Sequence, residues 1–157
     1  EKRAWHAGVS FWRGERDVNS HSIGIELANP GHSCGYRPFP PAQMASLLTL
    51  CRDILARHPI PARNVVAHSD IAPGRKIDPG ELFDWQGLAR DGIGVWPVPV
   101  VNDQPLDPLL TEIGYDPERS GEARTEAFQR RFRPSRIDGV ADRETVELAA
   151  GFLKCVS

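Results

Sequence analysis

The chain has 157 residues and a mass of 17.4 kDa, which fits one domain of usual size or two small ones packed together and excludes a large multidomain assembly. With 40% hydrophobic and 25% charged residues it lies in the globular range, away from intrinsic disorder. The net charge is −2, with eleven Lys and Arg against eleven Asp and Glu before Leu106 and eight against ten after it, so no cationic field is present to hold nucleic-acid phosphates.

The first residues, EKRAWHAG, do not read as a signal peptide, and the chain opens without Met in mid-pattern, so further residues are expected upstream. Ser22 to Ala28 alternates Ile23, Ile25 and Leu27 with small or acidic residues, the period of a strand with one buried face. From Pro41 to His58, Met44, Leu47, Leu48, Cys51, Ile54 and Leu55 recur at three and four residues, an amphipathic helix bounded by Pro40–Pro41 and by Pro59 and Pro61. Asn64 to Ala67 reads as a short buried strand that delivers His68 at its end, and strand, helix, strand in order predict a mixed α/β layer fold. A short helix follows at Asp84 to Arg90, then Gly92 to Asp107, with three prolines and no helical period, reads as a linker. Three further helices are predicted at Leu106 to Ile113, around Ala123 to Phe132, and at Asp142 to Leu153, the last with Asp142 as N-cap. Gly and Pro number 14 each, a share that predicts long ordered loops. Cys34, Cys51 and Cys155 show neither CxxC pairing nor the density of a disulfide scaffold. No apolar run reaches the roughly 18 residues of a membrane-spanning helix.

The densest chemical cluster is HSDIAPGRKIDPG, His68 to Gly80, in which a Pro/Gly loop returns a carboxylate, Asp78, to the neighbourhood of an imidazole, His68. His and Asp suit Zn²⁺, whose catalytic sites use three protein ligands and leave a fourth position for water, so a third ligand must come from elsewhere. For an isolated pair the commoner outcome is structural: His68 caps a strand and Asp78 pairs with Arg75 or Lys76 on the surface. Lys76 is one of only three lysines against sixteen arginines, and an ammonium there suits neutralisation of a developing oxyanion. Glu26 stands in an otherwise apolar or small-residue strand, either on a solvated face or in a cleft. In the cleft it would serve as general base and acid, taking a proton from a metal-activated water and passing it to a leaving amine.

AWHAGVSFWRG (Ala4 to Gly14), NSHSIGIELANPG (Asn19 to Gly31), HSDIAPGRKIDPG and LFDW (Leu82 to Trp85) together resemble the zinc-dependent N-acetylmuramoyl-L-alanine amidases of the type 2 amidase family. This family shares its fold with peptidoglycan-recognition proteins and amidase-type bacteriophage lysozymes. The likeness covers about Ala4 to Trp96 and is greatest to the AmiD-like subgroup with a C-terminal peptidoglycan-binding domain. It implies His68 and Asp78 as two of three zinc ligands, Glu26 as the catalytic glutamate and Lys76 as the lysine that assists at the transition state. It also implies that Trp5, His6 and Trp12 form pocket wall and scaffold, and Trp5, His6 and Arg75 are assigned to substrate binding. The family's first zinc-binding His lies upstream of the WHAG loop, so the third ligand is expected upstream of residue 1, in missing sequence or in an upstream fragment present as a second chain. His21, His32 and His58 do not sit in that motif.

IGYDPERSGEARTEAFQRRF and RIDGVADRETVELAAGFL, Ile113 to Leu153, are similar to the three-helix peptidoglycan-binding domain, although Phe128, Phe132 and Phe152 also suit a plain bundle core. The expected fold is therefore α/β, a mixed central sheet flanked by helices, with an amidase domain at 1–97, a linker at 98–105 and a small three-helix domain at 106–157. The expected activity is zinc-dependent hydrolysis of the amide between N-acetylmuramic acid and L-alanine in peptidoglycan or muropeptides, in the periplasm or at the outer membrane. A non-catalytic peptidoglycan-recognition module is the alternative.

Overall fold

The computed structural model describes residues 4–157 and is made of helices joined by ordered loops. The α-helices are α1 (Val18–His21), α2 (Pro41–Arg57), α3 (His68–Ile71), α4 (Trp85–Arg90), α5 (Leu106–Ile113), α6 (Gly121–Phe132) and α7 (Arg143–Val156), with 3-10 turns at His32–Cys34 and Ala62–Asn64. Helix α2 starts on Pro41, whose fixed φ suits a first helical position, and stops at His58, the extended residue before Pro59. Leu47 and Cys51 face inward from it and pack with Phe39, Ala67, Phe83, Trp85, Leu88 and Ile93 in a front cluster.

The expected mixed central sheet is corrected: among the described residues there is no strand, only an isolated bridge of Trp12 with Glu15 across the Arg13–Gly14 turn. Alternating hydrophobicity says which side of a segment is apolar, but a strand also requires a neighbour to take its N–H and C=O groups. Ser22 to Ala28 finds no such ladder; Ile23 and Ile25 are 45% and 38% exposed, and only Leu27 leans on the front cluster. Residues 64–67 are extended at Val65 and Ala67, yet side chains serve their backbone. The Val65 carbonyl accepts from Arg131 Nη2 at 2.8 Å, and the Ala67 N–H donates to Asp70 Oδ2 at 2.8 Å. His68 therefore begins a helical turn rather than ending a strand.

The last three helices form where their sequence placed them. In α5, Leu106, Leu109, Leu110 and Ile113 fall on one buried face. Ser120 Oγ caps α6 by accepting from the Ala123 N–H at 3.2 Å, and Asp142 Oδ1 caps α7 by accepting from the Thr145 N–H at 3.0 Å. Within the continuous helix α7, Gly151 leaves room for the Val98 carbonyl, which a Cβ there would strike, so the 92–105 segment lies directly on the helix.

One core joins front and tail. Ala7, Trp12, Val18, Ile71, Ala72 and Val95 are buried in the same cluster as Leu110, Phe128, Ala149 and Phe152. Trp12 meets Tyr115 edge-on with ring centroids 5.5 Å apart. Arg13 Nη1 donates to the carbonyls of Glu112 and Ile113 at 3.2 and 2.9 Å, and Arg16 pairs with Glu118 at 2.7 Å. Cys34 and Cys155 are exposed and Cys51 is buried, all three as free thiols.

Candidate functional site

The loop after α3 folds back so that the Ser69 N–H donates to the Asp78 carbonyl at 3.1 Å, and this return brings the two side chains together. His68 Nδ1 lies 3.0 Å from Asp78 Oδ2, and its Nε2 lies 3.1 Å from the Ala7 carbonyl. Both partners are acceptors, so a neutral imidazole satisfies one of them and an imidazolium both. The hydrogen bond from His68 holds the Asp78 carboxyl below its ordinary value against the opposing effect of burial, with the charges of His68 and Lys76 adding to it.

Arg75 does not pair with Asp78. Its Nη2 donates to the carbonyls of Ala7 at 2.9 Å and Val9 at 2.7 Å, which pins the 7–9 loop beside His68. Lys76 is half-buried and near enough to Asp78 to stabilise its charge. Glu26 is exposed and makes no side-chain hydrogen bond or ion pair among the described residues, so no bond joins it to His68, Asp78 or Lys76. Its segment runs close to His6, since a Cβ on Gly24 would strike the His6 ring. The His6 ring is held by the scaffold, Nδ1 at 2.9 Å from the Ala4 carbonyl and Nε2 at 2.8 Å from Ser22 Oγ. Trp5 is 80% exposed, beside this loop in sequence.

On the far side of the returning loop, Tyr36 Oη donates to the Pro79 carbonyl at 2.7 Å and accepts from the Leu82 N–H at 3.0 Å. His32 stacks on Tyr36 with centroids 4.1 Å apart and reaches Glu81 at 3.0 Å. Burial acts to raise the Glu81 carboxyl, yet its backbone hydrogen bond and His32 outweigh burial and hold it below the ordinary value. Beneath α3, Asp70 is 0% exposed and accepts from Tyr115 and Arg131 of the tail. Sequence reasoning assigned no role to Tyr36, Asp70, Tyr115 or Arg131. The one available signal was Asp70 itself, a carboxylate inside an otherwise small or apolar stretch directly after His68.

The His68–Asp78 pair matches the donor chemistry of zinc. Two such ligands on one tetrahedral ion lie roughly 3.3 Å apart for metal–ligand bonds of about 2.0 Å, and the observed 3.0 Å separation needs only a small opening. Among the described residues no third His, Cys, Asp or Glu joins them. The ligand expected upstream of residue 1 lies outside the described residues. Two clefts of about 300 Å³, one lined by Asn29, Arg37 and Pro40 and the other by Glu81, Trp85, Trp96 and Arg131, include neither His68 nor Asp78.

The family model of N-acetylmuramoyl-L-alanine amidase matches residues 1–81. The chain is 44% identical over 179 aligned positions to the N-acetylmuramoyl-L-alanine amidase AmiD of Escherichia coli K12, covering 98% of this chain and 64% of that protein. It is 46% identical over 85 residues to the 1,6-anhydro-N-acetylmuramyl-L-alanine amidase AmpD of Enterobacter cloacae, covering 54% of this chain and 43% of that one. The chain thus spans less than two thirds of the length of these relatives. Among solved structures, E. coli AmiD in complex with anhydro-N-acetylmuramic acid-L-Ala-D-γ-Glu-L-Lys superposes with a TM-score of 0.86 at 42% identity, over 98% of this chain and 69% of that one. AmpDh3 of Pseudomonas aeruginosa superposes with a TM-score of 0.91 at 33% identity, over 99% and 70%.

Proposed function

The chain belongs to the N-acetylmuramoyl-L-alanine amidase family, and on that premise we propose that it hydrolyses the amide between N-acetylmuramic acid and L-alanine in peptidoglycan or its muropeptides. The observation that carries this reading is the His68–Asp78 pair, 3.0 Å apart with Lys76 beside it, inside the segment that the family model matches. The solved structure of E. coli AmiD, which this chain resembles over 98% of its own length, is a complex with such a muropeptide as substrate.

In this mechanism His68 and Asp78 would hold a zinc ion together with a third ligand outside the described residues. When bound, zinc supplies Lewis acidity toward the scissile carbonyl and the attacking water. Glu26, exposed and unengaged by other side chains, accepts the proton of that water and returns it to the departing amine of L-alanine. Lys76 places its ammonium against the oxygen that becomes negative as the water adds. Arg75 and His68 both bind the Ala7 carbonyl and so fix the WHAG loop along the edge of the site, where Trp5 and His6 form the wall for the substrate. The reading extends to the tail: the order of its motifs supports a peptidoglycan-binding role for α5 to α7. A wall-binding hydrolase of this kind belongs in the periplasm or at the outer-membrane face.

The test is zinc content after dialysis together with release of L-alanyl peptides from purified peptidoglycan and from anhydromuropeptides. Glu26→Ala is expected to retain zinc and lose turnover. Substantial activity in that variant removes Glu26 from the mechanism. Binding of muropeptides with no zinc and no peptide release makes the protein a recognition module instead.

A further inference from the structure

Helix α3 is a single turn of four residues, too short to hold its own orientation, and it carries His68 at its first position. Two residues further on, Asp70 is wholly buried, and three donors converge on its carboxylate. The Ala67 N–H reaches Oδ2 at 2.8 Å, Arg131 Nη1 reaches Oδ2 at 2.6 Å, and Tyr115 Oη reaches Oδ1 at 2.7 Å. Two of the three come from the helical tail, from 45 and 61 residues further along the chain. Arg131 also donates to the Val65 carbonyl at 2.8 Å, so one guanidinium grips the backbone before His68 and the carboxylate after it. That guanidinium is itself fixed, its carbon lying 4.0 Å from the Trp85 ring centroid and 4.8 Å from that of Phe132. Burial and the neighbouring Asp70 charge push the Tyr115 phenol well above its ordinary value, which keeps it a donor.

We infer that Tyr115 and Arg131 are positioning residues for the candidate active site: through Asp70 they set the orientation of the turn that presents His68. The inference rests on the amidase reading for the role of His68, and it gives the tail a task beyond holding the cell wall. Contacts that merely fasten the tail to the front part exist elsewhere. Arg13 donates to the carbonyls of Glu112 and Ile113 without touching α3, and so provides the control for a purely structural effect.

The experiment compares Tyr115→Phe, Arg131→Lys and Arg13→Met in the full-length protein. It reads kcat and KM for peptide release from an anhydromuropeptide, the ¹H–¹⁵N resonances of the His68 imidazole, and the thermal midpoint. Tyr115→Phe is expected to lower kcat about tenfold with KM within about twofold, because a misplacement of about 1 Å remote from the chemistry can cost about a hundredfold and loss of one hydroxyl moves the turn less, and to shift the His68 resonances. Arg131→Lys, which keeps the charge but not the fork, is expected to act in the same direction. Arg13→Met is expected to lower the midpoint and leave both kcat and the His68 resonances at parent values. Should Arg131→Lys fail to fold, Tyr115→Phe decides alone, since it removes only one hydroxyl. Parent-like kcat and resonances in Tyr115→Phe overturn the inference, as do equal changes in Arg13→Met. If the parent protein releases no peptide, the amidase reading fails, and the His68 resonances alone decide the inference: moved by Tyr115→Phe and not by Arg13→Met they sustain it, unmoved they overturn it.

Discussion

The helical tail and the stretch from Ser22 to Phe39 solve the same problem in different ways. In the tail, each helix satisfies its own backbone internally, side chains of Ser120 and Asp142 cap the starts, and Leu110, Phe128 and Ala149 reach 0% exposure. Between Ser22 and Phe39 the only regular element is one 3-10 turn, and Ile23 and Ile25 stay well exposed. Local hydrogen bonding makes a segment self-sufficient once its apolar face has somewhere to go; an extended segment depends on whatever lies beside it. The candidate site is assembled on the second kind of backbone and borrows its rigidity from the first.

The contrast is sharpest at Phe128. Truncation to Ala at this fully buried position is expected to cost about 3–5 kcal/mol in chemical denaturation. A loss below about 1 kcal/mol would show that the tail core is far looser than its burial indicates. Next in size, Asp142→Ala removes the α7 cap and is expected to cost about 1 kcal/mol. Asp142 also gives the comparison a pH dependence. Burial acts to raise its carboxyl, but the N–H and hydroxyl of Thr145 together with Arg133 outweigh burial and hold it below the ordinary value. As pH falls, the unfolded chain takes up that proton first. The stabilisation is therefore complete above the unfolded carboxyl pKa, near about 4, and is lost as pH drops through the lower folded value. Asp142→Asn, which keeps the cap acceptor, is expected to flatten this acid limb in pH-resolved denaturation. Smallest of all, Ile25→Ala on the exposed stretch is expected to stay within about 0.5 kcal/mol of the parent. A cost of several kcal/mol there would erase the distinction between the two regions.

The same distinction governs what can be read in advance. The 3.6-residue recurrence of Leu47, Cys51 and Leu55 and of Leu106, Leu109, Leu110 and Ile113 marks α2 and α5, and Pro41 and Pro59 bound α2, as Asp142 bounds the start of α7, within a residue or two. The alternation of Ile23, Ile25 and Leu27 is as clear a pattern, yet it gave no strand, because periodicity does not name a partner. In the site, the return of Asp78 onto His68 was legible from the Pro/Gly loop between them. Its support by Tyr36, and the burial of Asp70 under Tyr115 and Arg131, join residues 43 to 61 positions apart and leave no local trace.

By itself, then, the sequence determined helices α2 and α4 to α7, the α7 cap and the types of group gathered between His68 and Asp78, since all of these depend on neighbours a few residues away. Only the tertiary structure decided that the segments around Glu26 and before His68 remain without a sheet, and that one carboxylate, Asp70, ties the site to the tail. The physical reason is common to both: where a backbone or a buried charge cannot be satisfied locally, its partner is chosen by packing, and packing is a property of the whole chain.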